Sequence, residues 1–178
     1  LLEPFELERR LAHDPFCPAE RAQELSVELV ELDTLLSESD FVCINCMLND
    51  ETRGLIGERE LGLMKDTAYL INTARGPIVN QRALAEALLT KRIRGAALDV
   101  FEVEPLPVDD PLLELDNVIL LPHAIGWTEE ALRDNARLDC EAALSVYRGE
   151  APTHVVNREV LERPGLQAEL ARYRERQG

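Results

Sequence analysis

The sequence predicts an α/β fold in which a mainly parallel sheet is flanked by helices. Three observations carry this prediction. Short apolar runs, typical of strands buried on both faces, alternate with segments that have the apolar spacing of helices. Such an alternation forms βαβ units with right-handed crossovers, and no internal repeat interrupts it. Polar clusters directly follow three of the runs, at residues 68–71, 96–98 and 118–121.

The first half of the chain alternates short strands with short helices. Pro15 stops the first strand just after Asp14, because proline cannot donate to a strand ladder. Asp33 has a side chain suited to cap a helix. Strands are predicted over residues 8–13, 27–30, 41–46 and 67–71. Helices are predicted over residues 19–25, 33–36 and 57–64.

The second half of the chain has clearer helix signals. Asn80 is a suitable N-cap for one helix. Thr128 begins a second, long helix with Glu129 and Glu130 in its first turn, and glycine and proline within residues 149–152 end it. Helices are predicted over residues 81–90, 128–147 and 164–177, and strands over 95–100 and 118–121. We therefore divide the chain into a sheet domain, residues 1–150, and a C-terminal segment, residues 151–178.

Length and charge restrict the kind of protein. The 178 residues are enough for one well-filled domain and too few for two of full size. The net charge is −15, and such a surface repels phosphate backbones and anionic lipids, so we expect no nucleic-acid or membrane partner. No apolar run approaches the ~20 residues that a membrane span needs, and no signal segment opens the chain. We expect a cytoplasmic protein.

Two of the four cysteines, Cys43 and Cys46, have the CxxC spacing used by metal and redox sites. A strand over this segment would put their side chains on opposite faces of the sheet. No second CxxC or histidine pair accompanies them, as a structural zinc site requires. We therefore predict no metal site and interpret these residues as buried thiols in a reducing compartment.

The polar clusters at the strand ends contain an arginine, a carboxylate and a histidine. Ligands of open α/β sheets bind beyond the carboxyl ends of the strands, so Arg75, Glu104 and His123 should reach one edge. A guanidinium can hold a carboxylate through two hydrogen bonds and polarise the carbonyl beside it. Histidine is the usual proton donor near neutral pH, and an adjacent carboxylate would orient it. Taken alone, each has a simpler interpretation, as a surface arginine, a loop histidine or one of 34 acidic residues.

Four motifs occur in order along the chain: HDP at 13–15, INTARG at 71–76, GAALDVF at 95–101 with EP at 104–105, and PH at 122–123. They resemble the motifs of the D-isomer-specific 2-hydroxyacid dehydrogenases. The resemblance extends from about His13 to Trp127, and more loosely to Asn157. It implies a Rossmann-like fold and the NAD-dependent interconversion of a D-2-hydroxy acid and its 2-oxo acid.

The resemblance assigns roles to single residues. It implies that Arg75 binds the substrate carboxylate, while His123, oriented by Glu104 rather than Glu102, transfers the proton. Asp14 would accept hydrogen bonds from the adenosine ribose and repel a 2′-phosphate, which favours NAD(H) over NADP(H). The implied cofactor-binding residues are Asp14, Cys46, Met47, Thr52, Thr73, Ala74, Arg75, Asp99, His123 and Gly126.

Two features of the family have no counterpart in the sequence. No G-x-G-x-x-G occurs in the chain, and this is the turn whose backbone N–H groups hold the cofactor pyrophosphate. The separate substrate domain is also missing. We therefore expect a chain truncated at its N-terminal side, with Leu1 inside the helix that follows the turn. We expect the isolated fragment to bind NAD poorly and to be inactive.

Several alternatives stay open. The same residues would serve glyoxylate, hydroxypyruvate, lactate-type or phosphoglycerate-type acids. Trp127 either closes the substrate pocket or packs the start of the long helix. The family implies a homodimer, to which the apolar face of helix 128–147 would contribute. The alternatives to an enzyme are a non-catalytic relative that binds dinucleotide as an interaction module, and an inactive fragment.

Overall fold

The computed structural model describes residues 5–176, which form two compact units that divide after Ile125. The domain boundary expected from the sequence lies later, after residue 150, and stays a prediction. The helix expected at Leu1 lies outside the described residues. Among the described helices, none is long and apolar enough to cross a membrane, and the cytoplasmic location stays a prediction.

The first unit contains six short strands, all parallel, in two sheets. β1 (Leu11–Ala12) pairs with β2 (Glu28–Leu29), and a separate four-stranded sheet has the order β3-β4-β5-β6. The larger sheet consists of β3 (Phe41–Ile44), β4 (Tyr69–Asn72), β5 (Gly95–Leu98) and β6 (Val118–Leu120). Each predicted strand is present, and each is shorter than predicted. The predicted parallel α/β fold is confirmed.

Four helices connect these strands: α1 (Ala19–Glu24), α2 (Leu32–Glu38), α3 (Glu58–Leu63) and α4 (Gln81–Leu89). Asn80 caps α4 as predicted, since its side chain accepts a hydrogen bond from the Ala83 N–H at 3.0 Å. The predicted cap at Asp33 is wrong. Because α2 begins one residue earlier, Asp33 lies in its first turn, where its carboxylate pairs with Arg59 of α3.

The hydrophobic core of the first unit lies against one face of the four-stranded sheet. Alternate strand residues pack with the apolar sides of α2, α3 and α4, and each fully buried leucine contributes about 1.5–3 kcal/mol of transfer free energy. The largest fully buried members of this core are Leu36, Leu61, Met64, Leu70, Ile78, Leu84, Leu88, Ile93 and Leu112. The core therefore fixes the strands whose ends carry the predicted site.

The residues of β3 that alternate with the core residues are exposed. Phe41 stacks on Tyr69 with ring centroids 5.6 Å apart, and Cys43 lies between two core residues on the same strand. The expectation of buried thiols is wrong, because Cys43 faces away from the core and Cys46 follows the strand in an exposed loop. Within residues 5–176, no cluster of three or more His, Cys, Asp or Glu side chains could hold a metal ion.

The second unit consists mainly of two helices, α5 (Glu129–Tyr147) and α6 (Pro164–Glu175). Thr128 caps α5, since its side chain accepts a hydrogen bond from the Ala131 N–H at 3.2 Å. The predicted break follows at Gly149, which adopts a φ of +76°. A Cβ there would lie 2.4 Å from the Leu170 carbonyl oxygen, so the chain needs glycine to turn this close to α6.

Candidate active site

The ladder register brings the carboxyl ends of the four strands of the larger sheet level with one another. Ile44 pairs with Asn72, Asn72 with Leu98, and Leu98 with Leu120. The residues that follow these four positions therefore emerge at one edge, as the sequence predicted for ligand contacts in an open α/β sheet.

Asn72 shapes the turn that carries Arg75. Its side chain, only 1% exposed, accepts a hydrogen bond from the Ala74 N–H at 3.1 Å and donates to the Arg75 carbonyl at 3.0 Å. The turn holds Arg75 with its side chain exposed, Thr73 exposed and Ala74 half-buried. Sequence reasoning missed Asn72, although a polar residue that ends an apolar run is a signal for such a bond.

Glu104 and His123 form a hydrogen-bonded pair at the same edge. The His123 ring nitrogen Nδ1 lies 2.8 Å from Glu104 Oε2, and Glu104 Oε1 accepts from the Phe101 N–H at 3.0 Å. A carboxylate can only accept here, so Nδ1 carries the proton. His123 is exposed, and its Nε2 has no hydrogen-bond partner among residues 5–176.

The groups around Glu104 favour its ionised form. The hydrogen bond from His123 lowers the pKa of the Glu104 carboxyl below its ordinary value. The Phe101 N–H and the positive charges of His123 and Arg75 lower this pKa further, while partial burial opposes them. The structure thus brings together the three side chains that the sequence predicts to be catalytic, and their roles stay predictions.

Asp99 is buried behind the histidine segment. It is only 2% exposed, and its two carboxylate oxygens accept hydrogen bonds from the Ala124 N–H at 2.8 Å and the Ile125 N–H at 3.1 Å. These bonds fix the backbone directly after His123, which itself adopts a φ of +54°. Nothing in the sequence indicated this contact, and the predicted contact between Asp99 and the nicotinamide stays a prediction.

Glu102, the other acid near this site, makes different contacts. Its carboxylate accepts a hydrogen bond from the backbone N–H of Gln81, at the N-terminus of α4, at 2.9 Å. Negative charge is favourable at a helix N-terminus. The structure therefore pairs His123 with Glu104, as the resemblance implied, and engages Glu102 elsewhere. Sequence reasoning missed Gln81.

The loop after β3 carries three predicted cofactor-binding residues. Thr52 donates its hydroxyl hydrogen to the Met47 carbonyl at 2.6 Å, and its backbone N–H donates to the Asn49 side chain at 2.9 Å. Cys46 and Met47 are exposed, and Thr52 is half-buried. The loop is therefore internally bonded and presents an open surface, and its contacts with the cofactor stay predictions.

The two remaining predicted cofactor contacts lie outside the larger sheet. Asp14 follows β1, where one carboxylate oxygen accepts a hydrogen bond from the Phe16 N–H at 2.9 Å. The other carboxylate oxygen of Asp14 has no hydrogen-bond partner among the described residues, so it can accept hydrogen bonds from ribose hydroxyl groups. Gly126 opens the second unit with an unstrained backbone, and its predicted contact stays a prediction.

The described residues suit the two nucleoside ends of NAD better than its centre. Asp14 is exposed where the adenosine ribose is expected, and Thr73 and Ala74 are accessible beside the acid–base pair. For the pyrophosphate, the 178 residues contain no G-x-G-x-x-G turn. The residues therefore fit the cofactor in part.

Comparisons with known proteins identify the family of this chain. The model of the family described as D-isomer specific 2-hydroxyacid dehydrogenase, NAD binding domain, matches residues 1–124. A glyoxylate reductase from Korarchaeum cryptofilum is 47% identical over 161 residues, which cover 89% of this chain and 48% of that protein. A D-3-phosphoglycerate dehydrogenase from Methanocaldococcus jannaschii is 44% identical over 148 residues, which cover 83% of this chain and 28% of that protein.

A solved structure gives the same result. The D-lactate dehydrogenase from Lactobacillus jensenii, determined with NAD+, superposes with a TM-score of 0.74 at 30% identity, covering 84% of this chain and 48% of that one. The chain thus spans less than half the length of each of these relatives. The matches confirm the expected family and its cofactor, NAD(H). The chain belongs to the D-isomer-specific 2-hydroxyacid dehydrogenases, in which it matches the NAD-binding domain.

Proposed function

We propose that the protein interconverts a D-2-hydroxy acid and its 2-oxo acid with NAD(H). The observation that carries this proposal is the 2.8 Å bond between His123 Nδ1 and Glu104 Oε2, formed at the sheet edge where Arg75 also follows a strand. In a 2-oxo acid the carbonyl to be reduced lies next to a carboxylate. His123, oriented by Glu104, can donate a proton to that carbonyl, and Arg75 can bind the substrate carboxylate.

Each of the three side chains has one task in this reaction. Arg75 holds the substrate carboxylate through two hydrogen bonds and draws electron density from the adjacent carbonyl. His123 donates the proton on Nε2 to the carbonyl oxygen, and Glu104 stabilises the imidazolium until it does so. When bound, the cofactor NADH would supply the hydride for the carbonyl carbon. The products are the hydroxy acid, NAD+ and a neutral imidazole, which regains a proton from solvent.

We propose glyoxylate as the first acid to test. The glyoxylate reductase from Korarchaeum cryptofilum is 47% identical to this chain, against 30% for the D-lactate dehydrogenase. An exposed, open edge at Arg75 and His123 is compatible with a small acid that makes few side-chain contacts. Selectivity between glyoxylate and larger 2-oxo acids would then come from residues that face this edge.

The test is NADH oxidation by the natural full-length protein with glyoxylate, hydroxypyruvate and pyruvate. Turnover is expected with at least one of these acids, and the lactate formed from pyruvate should be the D-isomer on a chiral column. No turnover with any 2-oxo acid, or formation of L-lactate, would overturn the proposal.

We also propose a homodimer. No residue of α5 is buried, and Leu132 and Leu144 are exposed on it. Exposed apolar side chains on a helix are stabilised when a second copy covers them. Light scattering of the full-length protein should give twice the mass of one chain, and a monomer at micromolar concentration would contradict this.

A further inference from the structure

Gln81 bonds to both limbs of the loop that carries Glu104. The first limb leaves β5 through Glu102, whose backbone N–H donates to the Gln81 side-chain oxygen at 3.0 Å. The Glu102 carboxylate accepts in return from the Gln81 backbone N–H at 2.9 Å. The second limb returns at Asp110, whose carboxylate accepts from the Gln81 side-chain nitrogen at 2.7 Å. One residue at the start of α4 therefore holds the loop where it departs and where it returns.

Glu104 depends on this loop for its orientation. It is exposed, and its two bonds go to the Phe101 N–H and to His123. Phe101 immediately precedes Glu102, the residue that Gln81 holds on both its backbone and its side chain. A shift of this limb would therefore displace the donor that aligns Glu104 with the imidazole.

The first limb of the loop also lies in close contact with the turn that carries Arg75. A Cβ placed on Gly76 would lie 1.9 Å from the carbonyl carbon and oxygen of Phe101 and 2.5 Å from the Glu102 nitrogen. Such contacts leave no room for any side chain at Gly76. The backbone of the first limb is thus held between Gly76 on one side and Gln81 on the other, which fixes Glu104 relative to Arg75.

The helix itself does not need the Gln81 side chain. Asn80 already caps α4 through the Ala83 N–H, and the apolar side of α4 is anchored by Leu84 and Leu88, both about 1% exposed. Asp110 also has a second task, since its other oxygen accepts from the Leu112 N–H at 2.9 Å. The side-chain hydrogen bonds of Gln81 therefore stabilise the loop and are not needed to hold α4.

We propose that Gln81 is a positioning residue for the acid–base pair: by tying Glu102 and Asp110 to α4, it keeps Glu104 aligned with His123. This inference rests on the proposed function. Gln81 touches neither Glu104 nor His123, so its effect on proton transfer passes through the backbone of the first limb.

The main experiment is a double-mutant cycle in the natural full-length protein. Gln81→Ala should lower kcat for 2-oxo acid reduction about tenfold while KM changes less than about twofold, because alignment of the proton donor matters in the transition state. In a Glu104→Gln background the same substitution should cost less than about twofold, because residues that act as one unit are not additive. Arg82→Ala, an exposed neighbour on α4, is the matched control and should leave both constants unchanged.

A second measurement does not depend on turnover. Carbon-13 NMR of the Glu104 carboxylate should show its pKa rising toward the ordinary carboxyl value in Gln81→Ala, because the donors that lower it are no longer aligned. Arg82→Ala should leave the pKa of the Glu104 carboxyl unchanged. If Gln81→Ala does not fold, Gln81→Asn, one methylene too short to reach both limbs, replaces it in both measurements.

The outcomes separate this inference from the proposed function. An equal loss of kcat from Gln81→Ala in both backgrounds, or an unmoved Glu104 titration, overturns the positioning role. Full activity of Gln81→Ala beside a strong defect in Glu104→Gln does the same, and leaves the proposed function standing. Absence of any 2-oxo acid reduction by the unmutated protein overturns the proposed function, and the Glu104 titration then decides the inference alone.

Discussion

The four-stranded sheet and the β1–β2 pair carry different parts of the proposed site and are held in different ways. Leu70 of β4 is fully buried in the core, whereas Leu29 of β2 is 36% exposed. The smaller pair is connected at the surface, where Arg9 forms ion pairs with Glu28 and Glu38. Exposed ion pairs contribute only about 0–1 kcal/mol each, so the smaller pair is the less firmly held region.

The difference matches the tasks proposed for the two regions. Arg75, Glu104 and His123 follow strands of the core sheet, where alignment within a fraction of an ångström affects the rate. Asp14 follows β1, where its only proposed task is to accept hydrogen bonds from hydroxyl groups of the cofactor. We therefore expect substitutions at the edge of the larger sheet to affect turnover, and those at β1 to affect cofactor choice.

The largest effect on turnover is expected from His123→Ala. The substitution removes the proton donor, and positioned proton transfer is worth about 10²–10⁴-fold in rate. kcat for 2-oxo acid reduction should fall by this factor while the protein stays folded, because the side chain is exposed. His154→Ala, at an exposed histidine of the second unit, is the control and should retain full activity. Equal activity of the two variants would remove His123 from the mechanism.

A smaller loss is expected from Arg75→Lys. Lysine keeps the charge but cannot form the two parallel hydrogen bonds of a guanidinium. Loss of one bond to a charged group costs about 1.5–3 kcal/mol, so kcat/KM should fall about 10- to 100-fold, with KM raised. Arg82→Lys on α4 is the matched control and should leave kcat/KM unchanged. An unchanged kcat/KM in Arg75→Lys would contradict the carboxylate-binding role.

Unequal stability of the two regions is tested by two leucine substitutions. Leu70→Ala should lower the free energy of unfolding by about 2–5 kcal/mol, since it leaves a cavity in the core. Leu29→Ala should cost less than about 1 kcal/mol, because this side chain is partly exposed. Urea denaturation followed by circular dichroism measures both. Similar losses at the two positions would mean that the β1–β2 pair is held as firmly as the larger sheet.

The smallest effect is expected from Asp14→Ala. The unmutated protein should prefer NADH to NADPH, because the Asp14 carboxylate repels a 2′-phosphate. Removing the carboxylate should narrow the ratio of the two kcat/KM values about tenfold, the equivalent of ~1.4 kcal/mol. Asp66→Ala, at an exposed aspartate, is the control and should leave the ratio of the NADH and NADPH kcat/KM values unchanged. Equal use of both cofactors by the unmutated protein would show Asp14 to be only a turn residue.

The sequence predicted the strands and helices because each apolar run has polar or cap residues at its ends, as Asn80 and Thr128 illustrate. It failed where a local signal competed with neighbouring structure. Asp33 has a good cap side chain, but α2 begins before it and Arg59 binds its carboxylate. Cys43 lies in an apolar run, yet it faces the side of β3 away from the core.

The candidate site was predicted in part for a similar reason. Residues with reactive side chains, such as Arg75, Glu104 and His123, are visible in a motif. Residues that hold backbone in place are harder to find, because Asn72 and Gln81 act through amide bonds to distant segments. Asp99 was found, but its bonds to the segment after His123 depend on the register of β5 and β6.

The pairing of Glu104 with His123 is tested most directly by the pH dependence of Glu104→Gln. Reduction needs protonated His123, and the Glu104 anion favours that form; neutral glutamine does not. The alkaline decline of kcat/KM for 2-oxo acid reduction should therefore move to lower pH. Glu114→Gln, at an exposed glutamate, should leave the decline where it is. A profile of Glu104→Gln that coincides with that of the unmutated protein would contradict the acid–base pair.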